Sequence, residues 1–264
     1  MNRSDIIRLT EEIGFLPEQK FGQNFLCNEK ISGSIVDLCG ISPSDKVLEI
    51  GPGLGSLTSI LATKTSDLTC IEIDKRLAEY ISEAFGCNVI SQDYLKVPAE
   101  QYNASEIDVA VSNIPYYVMT PIIKKLLTDL KNVRILTLMV EKEALDRLLA
   151  APGTKQYGPL SIICCLFGEI NVEFDLGGDN YYPAPRTVST VFTMKRGDNA
   201  GIIDQDFLSF LEKAFMNRRK KLTNNLDLDK DRVTACLISL GYNANTRAEE
   251  ISAIDYIKLY NGTR

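Results

Sequence analysis

Five short runs rich in Val, Ile and Leu punctuate the first half of the chain: "DKVLEIG" (45–51), "DLTCIEI" (67–73), "CNVI" (87–90), "DVAVSN" (108–113) and "VRILTLMV" (133–140). Between them, residues 56–65, 75–86, 119–131 and 141–150 carry apolar side chains at three- and four-residue spacing, the period of an amphipathic helix. Strand and helix in alternation predict an α/β fold, a mostly parallel sheet covered by helices on both faces. After residue 150 the pattern changes. "SIICCLFGEINVEFDL" and "TVSTVFTMKR" read as two strand-like runs around a Gly/Pro-rich loop, and these could close the sheet as an antiparallel pair. "RGDNAGI" (196–202) is the linker candidate, and beyond it 204–217, 229–240 and 252–260 read as helices. The expected domains are therefore 1–196 and a small all-helical 203–264.

Composition removes several classes of function. The 264 residues contain no histidine and no CxxC, so the usual zinc ligand sets and every His-based triad or general base are excluded. Seven cysteines, an odd and scattered set, do not form a disulfide framework and are expected to be reduced. No apolar stretch approaches the roughly 18 residues of a membrane span, and "MNRSDIIRLTEEIG" lacks the pattern of a secretory signal. A cytoplasmic protein without membrane contact is the expectation, with a monomer as the default. The net charge is -6, but it is unevenly spread: residues 1–189 carry -8 and residues 190–264 carry +2. Within the more basic part "NRRKKL" (217–222) concentrates four cations, which read either as a solvated helix face or as a phosphate-binding patch.

The strongest local motif is "VLEIGPGLGSLT" (47–58), a strand that runs through Gly51, Gly53 and Gly55 into a helix. Glycines there allow a tight turn and a close approach of ligand to backbone. The third glycine of a GxGxxG fingerprint would stand at Ser56, so the spacing GxGxG favours S-adenosylmethionine over a dinucleotide. Glu72, ending the second strand, can accept hydrogen bonds from ribose hydroxyls. Asp93 in "SQDYL" follows the third strand, where its carboxylate could meet an adenine amino group, and Tyr94 beside it is counted in the same cofactor set.

The fourth strand ends in "SNIPYYV" (112–118). Pro115 restricts Ile114 toward an extended backbone, so the Asn113 amide oxygen and the Ile114 carbonyl could both face one amino group. Two acceptors on a planar exocyclic amine favour a pyramidal, more nucleophilic nitrogen. Tyr116 offers an aromatic face for an extruded base. The alternative is a strand-ending turn with a buried tyrosine.

"KFGQNFL" (20–26), "EIGPGLGSLT", "IEID" (71–74), "QDYL" (92–95) and "NIPYYV" (113–118) stand in the order and spacing of the ribosomal RNA adenine N6-dimethyltransferases, which the chain resembles over nearly its whole length. "EKEALDRLLAAPGTKQYGPLS" (141–161), "YYPAPRTVSTV" (181–191), "AFMNRRKKLTNNL" (214–226) and "RAEEIS" (247–252) extend the likeness toward the small-subunit branch. The resemblance implies a Rossmann-like, seven-stranded class I methyltransferase with a helical C-terminal domain. It implies S-adenosylmethionine as cofactor, no metal, and small-subunit ribosomal RNA within a small-subunit particle as partner. By the same resemblance Asn24 and Leu26 close over the cofactor, Gly51 lies beneath its amino-acid end, and Glu72, Asp93 and Asn113 contact it. Tyr116 and Tyr181 would sandwich the target base. RNA phosphates are assigned to Arg218, Arg219, Lys220 and Lys221, with Arg147 and Arg186 as additions. Glu141, where the branch commonly has Gln, "DLGGDN" (175–180) and a pI near 5.0 depart from the family pattern. Large-subunit methylases that confer macrolide resistance, and non-catalytic ribosome-assembly or RNA-binding factors, share parts of this signature and stand as the other readings.

Overall fold

The structure, a computed structural model, describes residues 1–16 and 23–264, and of Tyr116 the backbone alone. The strands are β1 (Phe25–Leu26), β2 (Lys46–Ile50), β3 (Asp67–Glu72), β4 (Asn88–Ser91), β5 (Val109–Asn113), β6 (Ile135–Glu141), β7 (Gly168–Leu176), β8 (Tyr181–Tyr182) and β9 (Ser189–Arg196). The α-helices are α1 (Arg3–Glu12), α2 (Glu29–Leu38), α3 (Thr58–Lys64), α4 (Lys75–Phe85), α5 (Met119–Asp129), α6 (Lys142–Leu148), α7 (Pro159–Phe167), α8 (Gln205–Phe215), α9 (Lys230–Ser239) and α10 (Ala253–Thr263).

Seven strands form one sheet in the order β4-β3-β2-β5-β6-β9-β7. β4, β3, β2, β5 and β6 run parallel, and β9 pairs antiparallel with β6, from Ile135 opposite Lys195 to Glu141 opposite Ser189. Seven strands in one sheet agree with what the family resemblance implies. Strand order reverses at β2, between β3 and β5, and in open α/β sheets a ligand binds outside the carboxyl ends of the strands at such a switch point. Val47, Val109, Val111 and Met139 of the central strands meet Ile35, Val36, Leu61 and Ile81 of the covering helices in one buried cluster. Each such side chain contributes about 1.5–3 kcal/mol by leaving water.

Helix boundaries follow local chemistry. Asn2 and Asp5 form a reciprocal cap at α1, Asn28 accepts from the Ile31 N–H at α2, and Asp74 caps α4, which stops at Gly86 in the left-handed region. One expectation fails here. Residues 161–167, the first half of "SIICCLFGEINVEFDL", belong to α7 (Pro159–Phe167) rather than to a strand: Pro159 occupies its first turn and the Ser161 hydroxyl bonds the Gly158 backbone. A run that is apolar almost throughout has no sequence periodicity to separate helix from strand.

The chain divides into two compact units, residues 1–144 with 170–196, and residues 145–169 with 197–264. The sequence placed a single boundary near 197–202; the structure adds 145–169 to the helical unit. The reason is α7, whose residues are buried except at Pro159 and Cys165 and need cover, which α8 and α10 supply. Within this unit Tyr260 meets Phe207 and Phe210 at ring-centroid distances of 5.1 and 5.2 Å, and the Tyr256 and Tyr157 hydroxyls donate to the carbonyls of Ala248 and Ile251. Among the described residues no helix is long and apolar enough to cross a membrane.

Candidate active site

At the carboxyl ends of β2, β3 and β5 a cleft is lined by Asn24, Leu26, Glu49, Gly51, Gly53, Ser56, Glu72, Asn113, Pro115 and Met139, among others. Its floor is the turn from β2 to α3. Gly51, Gly53 and Gly55 all have positive φ, and a Cβ on Gly53 would come within 2.9 Å of the Phe25 ring. The turn thus requires glycine both for its backbone and for the aromatic ring laid against it. Phe25 stacks edge-on against Phe15 at 5.8 Å, so the segment carrying Asn24 and Leu26 is fastened beside the glycine turn by aromatic packing. The Ser56 hydroxyl donates to the Leu26 carbonyl and completes that attachment.

Glu72 is 4% exposed, and its two oxygens accept from Gly53 N–H at 3.0 Å and Asp74 N–H at 2.9 Å. Burial pushes its carboxyl upward, while the Asp74 and Gly53 N–H groups pull the other way. It therefore holds the glycine turn and the start of α4 at one point. Asn113, ending β5, donates its Nδ2 to the Asn24 carbonyl at 3.3 Å. That orientation leaves the amide oxygen as the acceptor of the pair. Ile114 is buried, and its N–H donates to the Met139 carbonyl, which ties the "NIP" segment to β6.

Glu49 was missed by the sequence reading. Its carboxylate, 2% exposed, accepts from the Thr58 hydroxyl at 2.7 Å and lies 3.7 Å from the Cys70 thiol. Burial raises its pKa to about 8, against the opposing effect of the Thr58 hydrogen bond. An acid inside the apolar run "VLEI" was the signal that could have found it. Tyr117 is a second addition: 61% exposed, with its hydroxyl pushed up by partial burial and then by the charge of Asp93.

Asn24, Leu26, Gly51, Gly53, Glu72, Asn113 and Pro115 are thus gathered into one cleft. Several other expected residues are placed differently. The Asp93 carboxylate caps its own short turn through the Leu95 N–H at 3.0 Å and pairs with Lys96 at 3.7 Å. Tyr94 is buried with its hydroxyl 3.4 Å from that of Tyr102 and its ring 5.3 Å from the Lys125 ammonium, so its side chain packs beneath α5 instead of reaching a ligand. Tyr181 pairs with Leu26 across the small β1–β8 sheet and is 1% exposed in the core, so in this conformation its ring presents no face to a base. The Tyr116 side chain, and "KFG" of "KFGQNFL", lie outside the described residues. In the helical unit Arg218 is held by Glu249 and by the carbonyls of Thr154 and Lys155. Arg219, Lys220, Lys221 and Arg147 are exposed, as is Arg186 of the first unit.

A family model for ribosomal RNA adenine dimethylases matches residues 15–263. The chain belongs to that family. A small-subunit ribosomal RNA methyltransferase A of Malacoplasma penetrans is 36% identical over 249 residues, 93% of this chain and 91% of the relative. The protein of that name from Geobacillus kaustophilus is 35% identical over 272 residues, 96% and 93% of the two chains. In fold, a dimethyladenosine transferase from Plasmodium falciparum is similar at a TM-score of 0.73, with 24% identity and coverage of 89% and 95%. As a dimethylase-family member the chain is a methyltransferase.

Proposed function

We infer that this protein transfers methyl groups from S-adenosylmethionine to N6 of adenosine in small-subunit ribosomal RNA, twice on each of two adjacent adenosines of the 3′-terminal hairpin loop. The observation that carries this is the convergence of Glu72, Asn113 and Pro115, from two strand ends and the turn beyond, on one glycine-floored cleft. The cleft fits the cofactor. The positive-φ turn lets a ligand lie against backbone, and Glu72 is a buried acceptor suited to ribose hydroxyls. When bound, S-adenosylmethionine supplies an electrophilic methyl group with a neutral thioether as leaving group.

What remains for the chain is to place and prepare the amine. The Asn113 amide, oriented by the Asn24 carbonyl, directs its oxygen at one N–H, and the Ile114 carbonyl, extended by Pro115, takes the other. Orientation of this kind, with exclusion of water by the segment around Leu26, accounts for catalysis without a strong base. The nitrogen becomes acidic on methylation, so the proton can pass to solvent, consistent with a chain that has no histidine. Tyr116 is assigned the face on which the base stacks. Asp93 keeps its assignment to the cofactor adenine through exchange of its local cap for that amine.

For the RNA we assign Arg219, Lys220, Lys221 and Arg147 of the helical unit and Arg186 of the methyltransferase unit to phosphates, and withdraw Arg218. The protein acts as a cytoplasmic monomer on a small-subunit particle. Labelled S-adenosylmethionine offered with unmodified small subunits, large-subunit RNA or a free hairpin, followed by digestion to nucleosides, tests the whole reading. N6,N6-dimethyladenosine from the small subunit is expected; label confined to large-subunit RNA would overturn it.

A further inference from the structure

Behind the cleft wall lies a row of three ionisable groups that methyl transfer does not use as a set. The β2–β3 register places Glu49 opposite Cys70, with the Cys70 sulfur 3.7 Å from a Glu49 oxygen. On its other side the same sulfur is 3.8 Å from that of Cys87. Cys70 is fully buried, whereas Cys87 is half-buried where the chain enters β4, the edge strand, directly after the left-handed Gly86. An edge strand is held from one side only, so its first residues can shift where a central strand cannot. The contact with the Cys70 sulfur lowers the pKa of Cys87, despite some burial, and the same contact, then burial and Glu49, raises that of Cys70. Thiolate, the reactive form, is thereby concentrated on the accessible member of the pair.

We propose that Cys87 and Cys70 are a peroxide-oxidised thiol pair that closes to a disulfide at the sheet edge and communicates its state to the cofactor cleft through Glu49. The Cys87 thiolate attacks one oxygen of hydrogen peroxide; an S–O bond forms, the O–O bond breaks, and the released hydroxide is protonated to water. Cys70 sulfur then attacks the sulfenic sulfur, forming the S–S bond, and hydroxide leaves with the Cys70 proton as a second water. Two thiols lose two electrons and two protons, and one peroxide becomes two waters. The sulfurs must approach from 3.8 Å to about 2.05 Å; the edge strand supplies the backbone shift at Cys87, and rotation of the Cys70 side chain toward it withdraws the Cys70 sulfur from Glu49.

The thiol chemistry stands independently of the proposed function, while its effect on the cleft rests on that reading. The full-length protein is treated with equimolar hydrogen peroxide, denatured, alkylated, digested and examined by mass spectrometry. A linked Cys70–Cys87 peptide two hydrogens lighter is expected, formed before the exposed Cys165 is oxidised. Cys70→Ser should instead leave a trappable sulfenic acid on Cys87, and Cys87→Ala should leave Cys70 reduced. Calorimetry should show S-adenosylmethionine binding about five-fold weaker after oxidation, the scale of one lost hydrogen bond, restored by dithiothreitol and insensitive to peroxide in Cys87→Ala. Cys87 that oxidises no faster than Cys165, or over-oxidises while Cys70 stays free, overturns the pair. A disulfide that leaves affinity unchanged overturns the link through Glu49. Failure of the cofactor assignment would look different, as no binding by the reduced protein.

Discussion

Replacing Glu49 by Gln tests the electrostatics of the cleft. The folded carboxyl has a pKa of about 8 against an ordinary 4.5, because its burial penalises the charged form. Between those values the folded chain keeps a proton that the unfolded chain has lost. The neutral acid's contribution is thus fully present below about pH 4.5 and disappears as pH rises through about 8. One proton of difference is worth about 1.4 kcal/mol per pH unit, so over this window the wild type should lose up to about 5 kcal/mol. Gln imitates the neutral acid, and its amide oxygen can still accept from Thr58. The variant should therefore match the wild type near about pH 5 and exceed it increasingly toward about pH 8. Urea unfolding of both proteins at several pH values, followed by circular dichroism, measures the difference. Parallel stability curves would mean that Glu49 is charged in the folded protein and the argument is wrong.

Asn113→Ala should lower methyl transfer at least about 100-fold, the scale for removing one oriented polar group at a reacting centre, with an unchanged melting temperature; near-normal turnover would refute its role. Gly55→Ala must hold an L-residue at φ +85° and bring a Cβ within 2.5 Å of the Phe85 ring. A loss of about 1–3 kcal/mol is expected, read as a lower denaturation midpoint, and an unshifted midpoint would show the turn can relax. Arg218→Ala should destabilise the helical unit by about 1–3 kcal/mol through its stranded partners. By contrast, Arg219→Ala with Lys220→Ala should leave stability within about 0.5 kcal/mol and reduce the salt dependence of RNA binding by roughly 0.7 per charge removed. The reverse pattern would return Arg218 to the RNA.

Much of this architecture was legible before any coordinate. The five apolar runs became β2 to β6 because a short Val/Ile-rich segment between amphipathic helices has few other ways to bury itself. Glycine spacing and the acid at Glu72 carried the cleft, since both depend on local geometry at a strand end. α7 was not legible, because an all-apolar run is equally suited to either element until its neighbours are known. Nor were α1 and α2, short helices whose Asn caps are visible only when one searches for them.

Side-chain commitment separates the two kinds of knowledge. From sequence, Arg218 and Arg219 are equivalent cations, and Tyr94 and Tyr181 are both rings assigned to a ligand. Only tertiary structure assigns Arg218 to Glu249, turns Tyr94 beneath α5 and buries Tyr181 beside Leu26. The order of the chain determined which strands meet and where their ends gather; the three-dimensional packing decided which polar and aromatic groups still face a ligand. That follows from the range of the forces involved. Backbone propensity and periodicity act over a few residues and are written in the sequence, whereas desolvation and ion pairing depend on partners such as Cys70 and Glu49, 21 residues apart in sequence and 3.7 Å apart in space.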